Sequence, residues 1–241
     1  MSFEKKEFIY EGKAKRLYST NNDQVVLVEF KDDLTAFNAE KKGSFDGKGK
    51  TNLKISQLVF SHLIKNGIKT HLIEQISDTE LFVKKVEIIP LEVVIRNKAA
   101  GSISKRLGIE KGFEFNNPMF EVFYKKDELG DPLLTYEHVR AMNLCRDENY
   151  EKLKTEALKI NGLLKDLFAQ AGVDLVDFKI EFGLDQNGAL LLADEISPDS
   201  CRLWDLETGE VLDKDRFRQD MGKVSESYQV ILEKLEKVVV S

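Results

Sequence analysis

The fold prediction starts from the stretch Leu175-Val176-Asp177-Phe178-Lys179-Ile180-Glu181-Phe182-Gly183. Charged side chains occupy every second position, so Asp177, Lys179 and Glu181 point to one face of a strand, and the apolar residues between them point to the other. This alternation is typical of a strand with one buried face. The Asn187-Gly188 dipeptide that follows is the strongest short signal for a hairpin turn. We therefore expect the strand to fold back on the residues up to Glu195.

The predicted hairpin brings two carboxylates together. If Asn187 and Gly188 form a two-residue turn, Glu181 lies directly opposite Asp194. Like charges that face each other across a ladder destabilise a sheet. A bound divalent cation would remove this conflict, and Mg²⁺ is the candidate that prefers oxygen ligands. Two alternatives stay open: the charged face is simply solvated, or another turn register places Leu192 opposite Glu181.

Pro90 marks a break in the chain, and we place a domain boundary near residue 87. The residues before it read mainly as strands, and the residues after it include long helices. Residues 109–146 contain two prolines and are predicted to be irregular. The predicted elements are strands at 25–30, 71–76, 80–89 and 91–96, a helix from about Thr51 to Asn66-Gly67, a short helix at 102–107, and long helices at 147–172 and 217–238.

Composition excludes several classes of protein. The 241 residues include 36 Lys and Arg against 42 Asp and Glu, a net charge of −6, which argues against broad binding to nucleic acids or anionic membranes. No apolar run reaches the roughly 18 residues of a membrane span. Cys145 and Cys201 stand far apart, and the charged first residues lack a signal peptide, so we expect a cytoplasmic protein. The three histidines lack the spacing of a zinc enzyme or a Ser-His-Asp hydrolase.

The segment from Ser44 to Thr51 nearly matches a phosphate-binding P-loop. The pattern needs glycine where Ser44 stands, and no apolar strand leads directly into the loop. P-loop chemistry is therefore not expected. A flexible basic loop that closes over an anion and a merely solvated loop both remain open.

Two longer passages resemble the signature segments of the SAICAR synthetase (phosphoribosylaminoimidazole-succinocarboxamide synthase) family. They are the stretch 175–183 quoted above and Ile88-Ile89-Pro90-Leu91-Glu92-Val93-Val94-Ile95-Arg96-Asn97-Lys98-Ala99-Ala100-Gly101-Ser102. Supporting matches are Gly12-Lys13-Ala14-Lys15, the segment 194–205 and the segment 213–218. The resemblance spans nearly the whole chain in order. It implies an α+β fold, that of an ATP-grasp-like ligase with two lobes. Residues 1–87 would form a β-rich N-terminal lobe that covers the ATP phosphates, residues 88–241 would form an α+β lobe with the metal and substrate site, and ATP would lie between the two.

The implied reaction belongs to purine biosynthesis. The carboxylate of 5-amino-1-(5-phosphoribosyl)imidazole-4-carboxylate (CAIR) is joined to the amino group of L-aspartate, and ATP is converted to ADP and phosphate. The product is SAICAR. CAIR and L-aspartate are thus the expected small-molecule partners, ATP and Mg²⁺ the expected cofactors, and the relatives suggest a homodimer. Neither a nucleic acid nor a membrane is an expected partner.

The resemblance also implies which residues act on ATP. Lys13, Ala14 and Lys15 match the contacts to its phosphates, although GKAK alone would read as solvated lysines. Both lysines are expected to alternate along one strand and to face one cleft. The segment containing Ile88 would hold adenine through its backbone, or Ile88 would be buried in the core.

Metal and catalytic residues are implied in the same way. Glu181 and Asp194 match the Mg²⁺ carboxylates, the pair that the hairpin singled out. Lys179 and Asp177 match catalytic positions near the substrate and the transferred phosphoryl group, and Lys179 would also contact ATP. Lysines and Mg²⁺ suit phosphoryl transfer because it rests on positioning and charge neutralisation.

The nucleotide substrate is expected at Arg96, Ser102, Arg202 and Asn38. Gly101-Ser102 opens a short helix, where free N–H groups favour a phosphate, and arginine offers a planar fork to phosphate or carboxylate. Arg96 follows an apolar strand and should need an anionic partner. Asn38 stands where many relatives carry aspartate, which would alter how the substrate amino group or ribose is held.

Two other functions use the same residues. A small-molecule kinase would share the lysines and carboxylates without requiring aspartate. An inactive nucleotide-binding module would bind ATP without turnover, although its acidic and basic positions are intact.

Overall fold

The computed structural model describes residues 3–36 and 40–239, which form thirteen strands and six α-helices. The strands are β1 (Lys5–Glu11), β2 (Lys15–Thr20), β3 (Val25–Phe30), β4 (Asp33–Ala36), β5 (Lys41–Ser44), β6 (Leu72–Gln75), β7 (Glu80–Lys84), β8 (Glu87–Lys98), β9 (Glu114–Tyr124), β10 (Leu133–Leu134), β11 (Val173–Leu184), β12 (Leu190–Ala193) and β13 (Cys201–Asp205). The helices are α1 (Lys48–Lys65), α2 (Ser102–Leu107), α3 (Tyr136–Ala141), α4 (Asp147–Gln170), α5 (Asp215–Arg218) and α6 (Val224–Val239). The predicted α+β class is confirmed.

The first sheet is antiparallel and has the strand order β1-β2-β3-β7-β6. Its central strand β3 consists of β-branched and apolar residues and is almost entirely buried, as that composition predicts. A separate hairpin of β4 and β5 lies between β3 and helix α1 in the chain. The strand predicted at 25–30 is confirmed at both ends.

The second sheet has the order β10-β9-β8-β11-β12, and β13 also pairs with β11. Its two longest strands, β8 and β11, run antiparallel from the Asp177–Arg96 pair to the Leu184–Glu87 pair. One face of this sheet is apolar and packs with α1, α4 and α6 in a single hydrophobic core. The other face carries the charged residues of β8 and β11. The two faces of these strands therefore separate the core from the charged cleft.

The sheets lie on either side of residue 87 in the chain, because every strand of the first ends before it and every strand of the second begins at or after it. Helix α1 does not follow this division. Its Ile55, Val59 and Leu63 belong to the core of the second sheet. The bridge between Thr70 and Leu192 also ties the two parts together. No helix in the described ranges is long and apolar enough to cross a membrane.

The helix predictions hold with small shifts. Helix α1 begins at Lys48 instead of Thr51 and ends beside Gly67, whose φ of 79° is left-handed. Helix α2 has the predicted bounds. Helix α4 ends just before Gly172, where φ is 67° and glycine has no Cβ to clash.

Two predicted regions are wrong. Residues 109–146 are not irregular, because they include the eleven-residue strand β9, the short strand β10 and helix α3. The last helix does not run from Phe217, because positive φ values at Asp220, Gly222 and Lys223 interrupt the chain between α5 and α6. Phe217 and Met221 continue the apolar spacing of α6, so the sequence pattern did not reveal the break between α5 and α6.

The predicted hairpin register is also wrong. Glu181 pairs with Ala193, and neither Asp194 nor Leu192 stands opposite it. The turn has three residues instead of two: Asp185 and Ala189 close it, and Gly188 adopts a left-handed φ of 75°. This is the loop in which a type I turn is followed by a left-handed glycine. The one-residue difference moves Asp194 just beyond the end of β12.

Helix α4 offers a test of the core. Ile160 is fully buried, whereas Leu158 on the same helix is 38% exposed. We expect Ile160→Ala to lower the free energy of unfolding by about 2–5 kcal/mol, because it removes buried methyl groups and leaves a cavity. The control Leu158→Ala should change it by less than about 1 kcal/mol. Urea denaturation measures both values, and equal losses would contradict this packing.

Candidate active site

A cavity of about 480 Å³ lies between the two sheets and is lined by residues from both. The structure brings most of the predicted site residues into its walls. They are Lys13, Ala14, Lys15, Arg96, Ser102, Asp177, Lys179, Glu181, Asp194 and Arg202. Residues far apart in the chain thus meet in one cleft, with lysines and carboxylates in one group and arginines in another.

Lys179 is the centre of the lysine–carboxylate group. Its ammonium donates to Glu92 Oε1 and to Glu181 Oε1, each at 2.8 Å, and lies 4.0 Å from Asp194 Oδ2. Glu181 stands opposite Glu92 in the ladder between β8 and β11, so opposed carboxylates do exist, but the partner strand is β8. Burial disfavours the charged lysine, yet these three carboxylates raise the pKa of Lys179 well above its usual value. Lys125 also donates to Glu181, at 2.8 Å.

Asp194 reaches the same group from the end of β12. Its φ of 62° is left-handed, so the chain turns sharply there and directs the carboxylate to Lys15. Lys15 also lies 3.1 Å from Glu195 Oε1. Burial opposes ionisation, but Lys15 and Lys179 hold the pKa of Asp194 well below its usual range. The second oxygen of Glu195 is buried and has no hydrogen-bond partner among the described residues.

Lys13 lies in the turn between β1 and β2, which is closed by a hydrogen bond from Gly12 N to Lys15 O of 2.8 Å. Strand β2 begins only at Lys15, so the predicted alternation of the two lysines along one strand is wrong. Both still line the cleft, because the turn itself bends over it. The Lys13 ammonium is 2.7 Å from Asp127 Oδ1, which comes from the segment after β9.

The arginine group is organised by Asp177. Its Oδ2 accepts from Arg96 Nη1 at 2.9 Å and from Arg202 Nη1 at 2.8 Å, and the residue is only 3% exposed. Arg96 donates further to Glu121 at 2.6 Å and to Ser102 Oγ at 3.2 Å. The anionic partners that Arg96 needs are therefore carboxylates of the protein itself.

A glycine makes room for the second arginine. Gly101 has a φ of 62°, and a Cβ at this position would lie 2.7 Å from Arg202 Cζ. Arg202 also donates from Nε to Asp215 Oδ2 at 2.8 Å, and its Nη2 has no partner among the described residues. Burial works against the cation, but Asp177 and Asp215 raise the pKa of Arg202 above its usual value. The guanidinium group of Arg202 is therefore held in one orientation, and its Nη2 is available to donate to a ligand.

Behind these arginines lies a fully buried carboxyl group, Asp213. It accepts from Leu203 N at 2.8 Å and from Asp215 N at 2.7 Å, and so fixes the start of α5 against β13. Burial and the neighbouring Asp215 raise the pKa of Asp213 to about 7. Asp215 in turn accepts from Arg218 Nη1 at 2.5 Å.

The structure does not place two of the predicted site residues in the cavity walls: Ile88 lies elsewhere, and the position of Asn38 is not described. Ile88 is 37% exposed, so its predicted burial in the core is wrong, and it does not line the cavity. The backbone contact of this segment with adenine stays a prediction. Asn38 falls outside the described residues.

The P-loop-like segment has another role. Ser44 ends β5, and Lys48, which is 1% exposed, begins α1 with its ammonium 2.6 Å from Asp199 Oδ2. The backbone N–H groups of Gly47 and Gly49 donate to the Asp32 carboxylate at 3.2 and 2.8 Å. The protein's own aspartate therefore occupies the position where a P-loop would bind phosphate, so neither an anion-closing nor a solvated loop describes it.

Several cleft residues were not predicted from the sequence. They are Glu92, Lys125, Asp127, Glu195, Asp199, Lys214 and Arg218. Glu92 could have been found, because it alternates with Arg96 along an apolar strand as Lys179 does with Glu181. Lys125 and Asp127 fall in the region that was predicted to be irregular, and no local pattern marks them.

Comparison with known proteins gives matches over nearly the whole chain. A model of the SAICAR synthetase family matches residues 8–235. The phosphoribosylaminoimidazole-succinocarboxamide synthase of Staphylococcus carnosus is 54% identical over 228 residues, covering 95% of this chain and 97% of the relative. The crystal structure of the enzyme of that name from Ehrlichia chaffeensis has a TM-score of 0.93 and 48% identity, covering 95% and 98% of the two chains. A SAICAR synthetase structure (Type-2) in complex with ADP has a TM-score of 0.92 and 47% identity, covering 96% and 98%. The resemblance found in the sequence is confirmed.

The paired arginines give a stability prediction. Asp177→Asn leaves the buried guanidinium group of Arg96 and the partly buried one of Arg202 without a shared carboxylate, so we expect it to lower the free energy of unfolding by about 3 kcal/mol. The control Asp174→Asn breaks a more exposed ion pair with Lys98, of 2.6 Å, and should cost about 1 kcal/mol or less. Urea denaturation without ligands at neutral pH measures both. A loss no larger than that of the control would show that Asp177 does not bind both arginines.

The raised pKa of Asp213 gives a prediction with a definite sign. The pKa of Asp213 is about 4 in the unfolded chain and about 7 in the folded protein. At pH values between these two, the native state holds a proton that the unfolded chain has lost. This group's contribution to stability therefore falls as pH rises through that window. We expect the free energy of unfolding of the wild type to fall by about 2 kcal/mol, relative to that of Asp213→Asn, when the pH is raised from 5 to 8. Denaturation at both pH values tests this, with exposed Asp46→Asn as the control for loss of charge; a constant difference would contradict the assignment.

Proposed function

This chain belongs to the SAICAR synthetase family, and we propose that it is an ATP-dependent ligase that joins CAIR to L-aspartate and forms SAICAR, ADP and phosphate in purine biosynthesis. The observation that carries the proposal is one cleft that holds a lysine–carboxylate group beside an arginine group. The first group suits the phosphates of ATP, and the second suits a phosphorylated, carboxylated nucleotide.

The chemistry requires activation of the CAIR carboxylate, which is a poor electrophile because oxide is a poor leaving group. In the proposed sequence, a carboxylate oxygen attacks the γ-phosphorus of ATP, and ADP leaves as an acyl phosphate forms. The amino group of L-aspartate then attacks the acyl carbon, so that a C–N bond forms while the C–O bond to phosphate breaks. The amine loses protons, and phosphate departs.

Four lysines support the phosphoryl transfer. Lys13, Lys15, Lys125 and Lys179 all line the cleft, and each contacts a carboxylate that fixes its position. Positioned cations stabilise charge on a phosphoryl group without having to reorganise during the reaction. We propose that these lysines and the backbone of Ala14 bind the phosphates of ATP, and that Lys179 also contacts the phosphoryl group that is transferred.

Mg²⁺ is proposed at Glu181 and Asp194. The residues fit such an ion, because the donors are oxygens and the buried Glu195 Oε2 beside them has no partner among the described residues. Within the described ranges no group of three or more His, Cys, Asp or Glu side chains could hold a metal. This suits Mg²⁺, which commonly takes one or two carboxylates and completes its shell with substrate phosphates and water. When bound, it would neutralise phosphate charge.

The nucleotide substrate is assigned to the arginine group. Arg202 has a free Nη2, and Arg218 uses only Nη1 within the described residues, so both can donate to an anion. Ser102 lies at the same wall. Arg96 and Asp177 hold this group in place, because the nitrogens of Arg96 already donate to protein oxygens. Here we therefore propose positioning roles for both.

The cellular compartment and the oligomeric state of the protein are also proposed. The two cysteines are unpaired, Cys145 partly and Cys201 fully buried, which suits a reducing cytoplasm. A homodimer, as the family resemblance implies, stays a prediction that light scattering of the purified chain can test.

The function is tested by incubating the purified protein with ATP, Mg²⁺ and CAIR, with and without L-aspartate. We expect phosphate release that depends on L-aspartate, together with formation of SAICAR. A stable phosphorylated product without aspartate would identify a kinase instead. ATP binding without turnover of any of these substrates would identify an inactive nucleotide-binding module.

The metal assignment predicts the effect of one charge-removing change. Glu181→Gln should lower kcat about 100-fold or more, because a positioned group that acts on the transferred charge is lost. The exposed Glu128→Gln, in the loop near the cleft, is the matched control and should stay within about twofold of the wild type. Steady-state rates are measured across Mg²⁺ concentrations. Near-normal activity of Glu181→Gln at saturating Mg²⁺ would remove this residue from the metal site.

A further inference from the structure

Five lysines line the cleft, and one of them differs from the others. Four have a carboxylate within 3 Å of the ammonium: Lys13 with Asp127, Lys15 with Asp194, Lys125 with Glu181, and Lys179 with Glu92 and Glu181. Lys214 has neither a hydrogen bond nor an ion pair at its ammonium within the described part of the chain. It is therefore the lysine of the cleft whose ammonium makes no direct contact with a carboxylate among the described residues.

The backbone of Lys214 is held firmly. Its N–H donates to Pro198 O at 3.1 Å, and its carbonyl accepts from Phe217 N and Arg218 N at 3.0 and 3.1 Å. Lys214 stands directly before α5, so Lys214 and Arg218 are four residues apart on the same helical face. The position of this lysine is thus fixed by the fold.

Asp199, the carboxylate that raises the pKa of Lys214 most, already accepts hydrogen bonds from other groups. Its Oδ2 accepts from Lys48 at 2.6 Å and Asn52 at 3.0 Å, and its Oδ1 accepts from Tyr228 at 2.6 Å. Burial opposes its ionisation, whereas Lys214 and Lys48 both lower the pKa of Asp199, but only Lys48 contacts its carboxylate directly. The other nearby carboxylate, Glu195, contacts Lys15.

The electrostatic surroundings of Lys214 agree with this geometry. Burial lowers the pKa of Lys214, and Arg218 and Lys48 act in the same direction, whereas Asp199 and Glu195 oppose them. A partly buried cation beside two others is unfavourable unless an anion joins it. Such a group in a cleft is a candidate for contact with a ligand.

The remaining anions of the reaction identify the ligand class. The phosphates of ATP have the four paired lysines, and the nucleotide has the arginine group. L-Aspartate brings two carboxylates for which no cation has been assigned. Lys214 lines the same cavity as both groups, and Arg218, four residues along the chain from it, shares Asp215 with Arg202.

We propose that Lys214 binds a carboxylate of L-aspartate and thereby selects the amino-acid substrate, an inference that rests on the proposed function. The amine of an aspartate held there would lie between the two groups, where the activated carboxylate must be. No covalent step is assigned to Lys214, so its contribution is binding.

The test compares Lys214→Met with Lys214→Arg and with Lys50→Met, an exposed lysine outside the cavity walls. Lys214→Met should raise KM for L-aspartate about 10- to 100-fold, the range of a lost hydrogen bond between charged groups. KM for ATP and for CAIR should stay within about threefold, and Lys214→Arg should recover most of the loss because the charge remains. Lys50→Met should match the wild type.

A competitive inhibitor separates binding from proton transfer. Succinate carries both carboxylates of aspartate but lacks its amine, so its inhibition constant should rise by the same factor as KM for aspartate in Lys214→Met. A fall in kcat with both constants unchanged would overturn the proposal and make Lys214 a proton acceptor. A rise in KM for CAIR equal to that for aspartate would overturn it in favour of the nucleotide.

Thermal melting provides a measurement that does not depend on turnover. Ligand-free Lys214→Met should melt at or above the temperature of the wild type, because an unmatched buried cation is removed. A clearly lower melting temperature would contradict an unpaired ammonium at Lys214, and Lys214→Gln repeats the test with a polar side chain.

Failure of the proposed function and failure of the role of Lys214 give different results. If the wild type shows no aspartate-dependent phosphate release, the proposed function fails. If the wild type turns over and Lys214→Met leaves KM for aspartate and the inhibition constant of succinate unchanged, only the role of Lys214 is rejected.

Discussion

The ammonium of Lys179, held between Glu92 and Glu181, is the interaction on which the cleft depends. Antiparallel pairing of β8 with β11 places these two carboxylates opposite each other, and alone they would repel. Lys179 lies two residues along the same face and donates to both at 2.8 Å, so the repulsion becomes a three-centre attraction. The two longest strands of the second sheet can therefore pair through a charged face, the one that we propose for the phosphates of ATP.

The arginine side of the cleft uses the same principle with the signs reversed. Asp177 lies between two guanidinium groups, and Asp215 between Arg202 and Arg218. Buried charges are tolerated when each has a partner, and the fixed pairs then act as an oriented electrostatic environment. The protein thus prepares two neighbouring regions for anions, one built on lysines and the other on arginines, before any ligand is present.

Sequence patterns predicted the charged face correctly because alternation along a strand depends only on its pleat. Thus Asp177, Lys179 and Glu181 share the cleft, as expected. The register failed because one additional turn residue, with Gly188 left-handed, moves Asp194 past its predicted partner. Strand β9 was missed because it contains Pro118 and is stabilised by pairing with the distant β8. No local signature shows that the Lys214 ammonium lacks a direct partner within residues 3–36 and 40–239, because Asp199 is hydrogen-bonded to residues from α1 and α6.

The hydroxyl group of Tyr228 gives the end of the chain a direct part in the cleft. It donates to Asp199 Oδ1 from the middle of α6, and the same carboxylate holds Lys48 at the start of α1. The last helix is therefore not a removable appendage. Removing α6 would expose the hydrophobic core, and it would also remove the hydrogen bond from Tyr228 to Asp199. Asp199 could then turn toward Lys214, so that a truncation far along the chain would change the charge in the cleft.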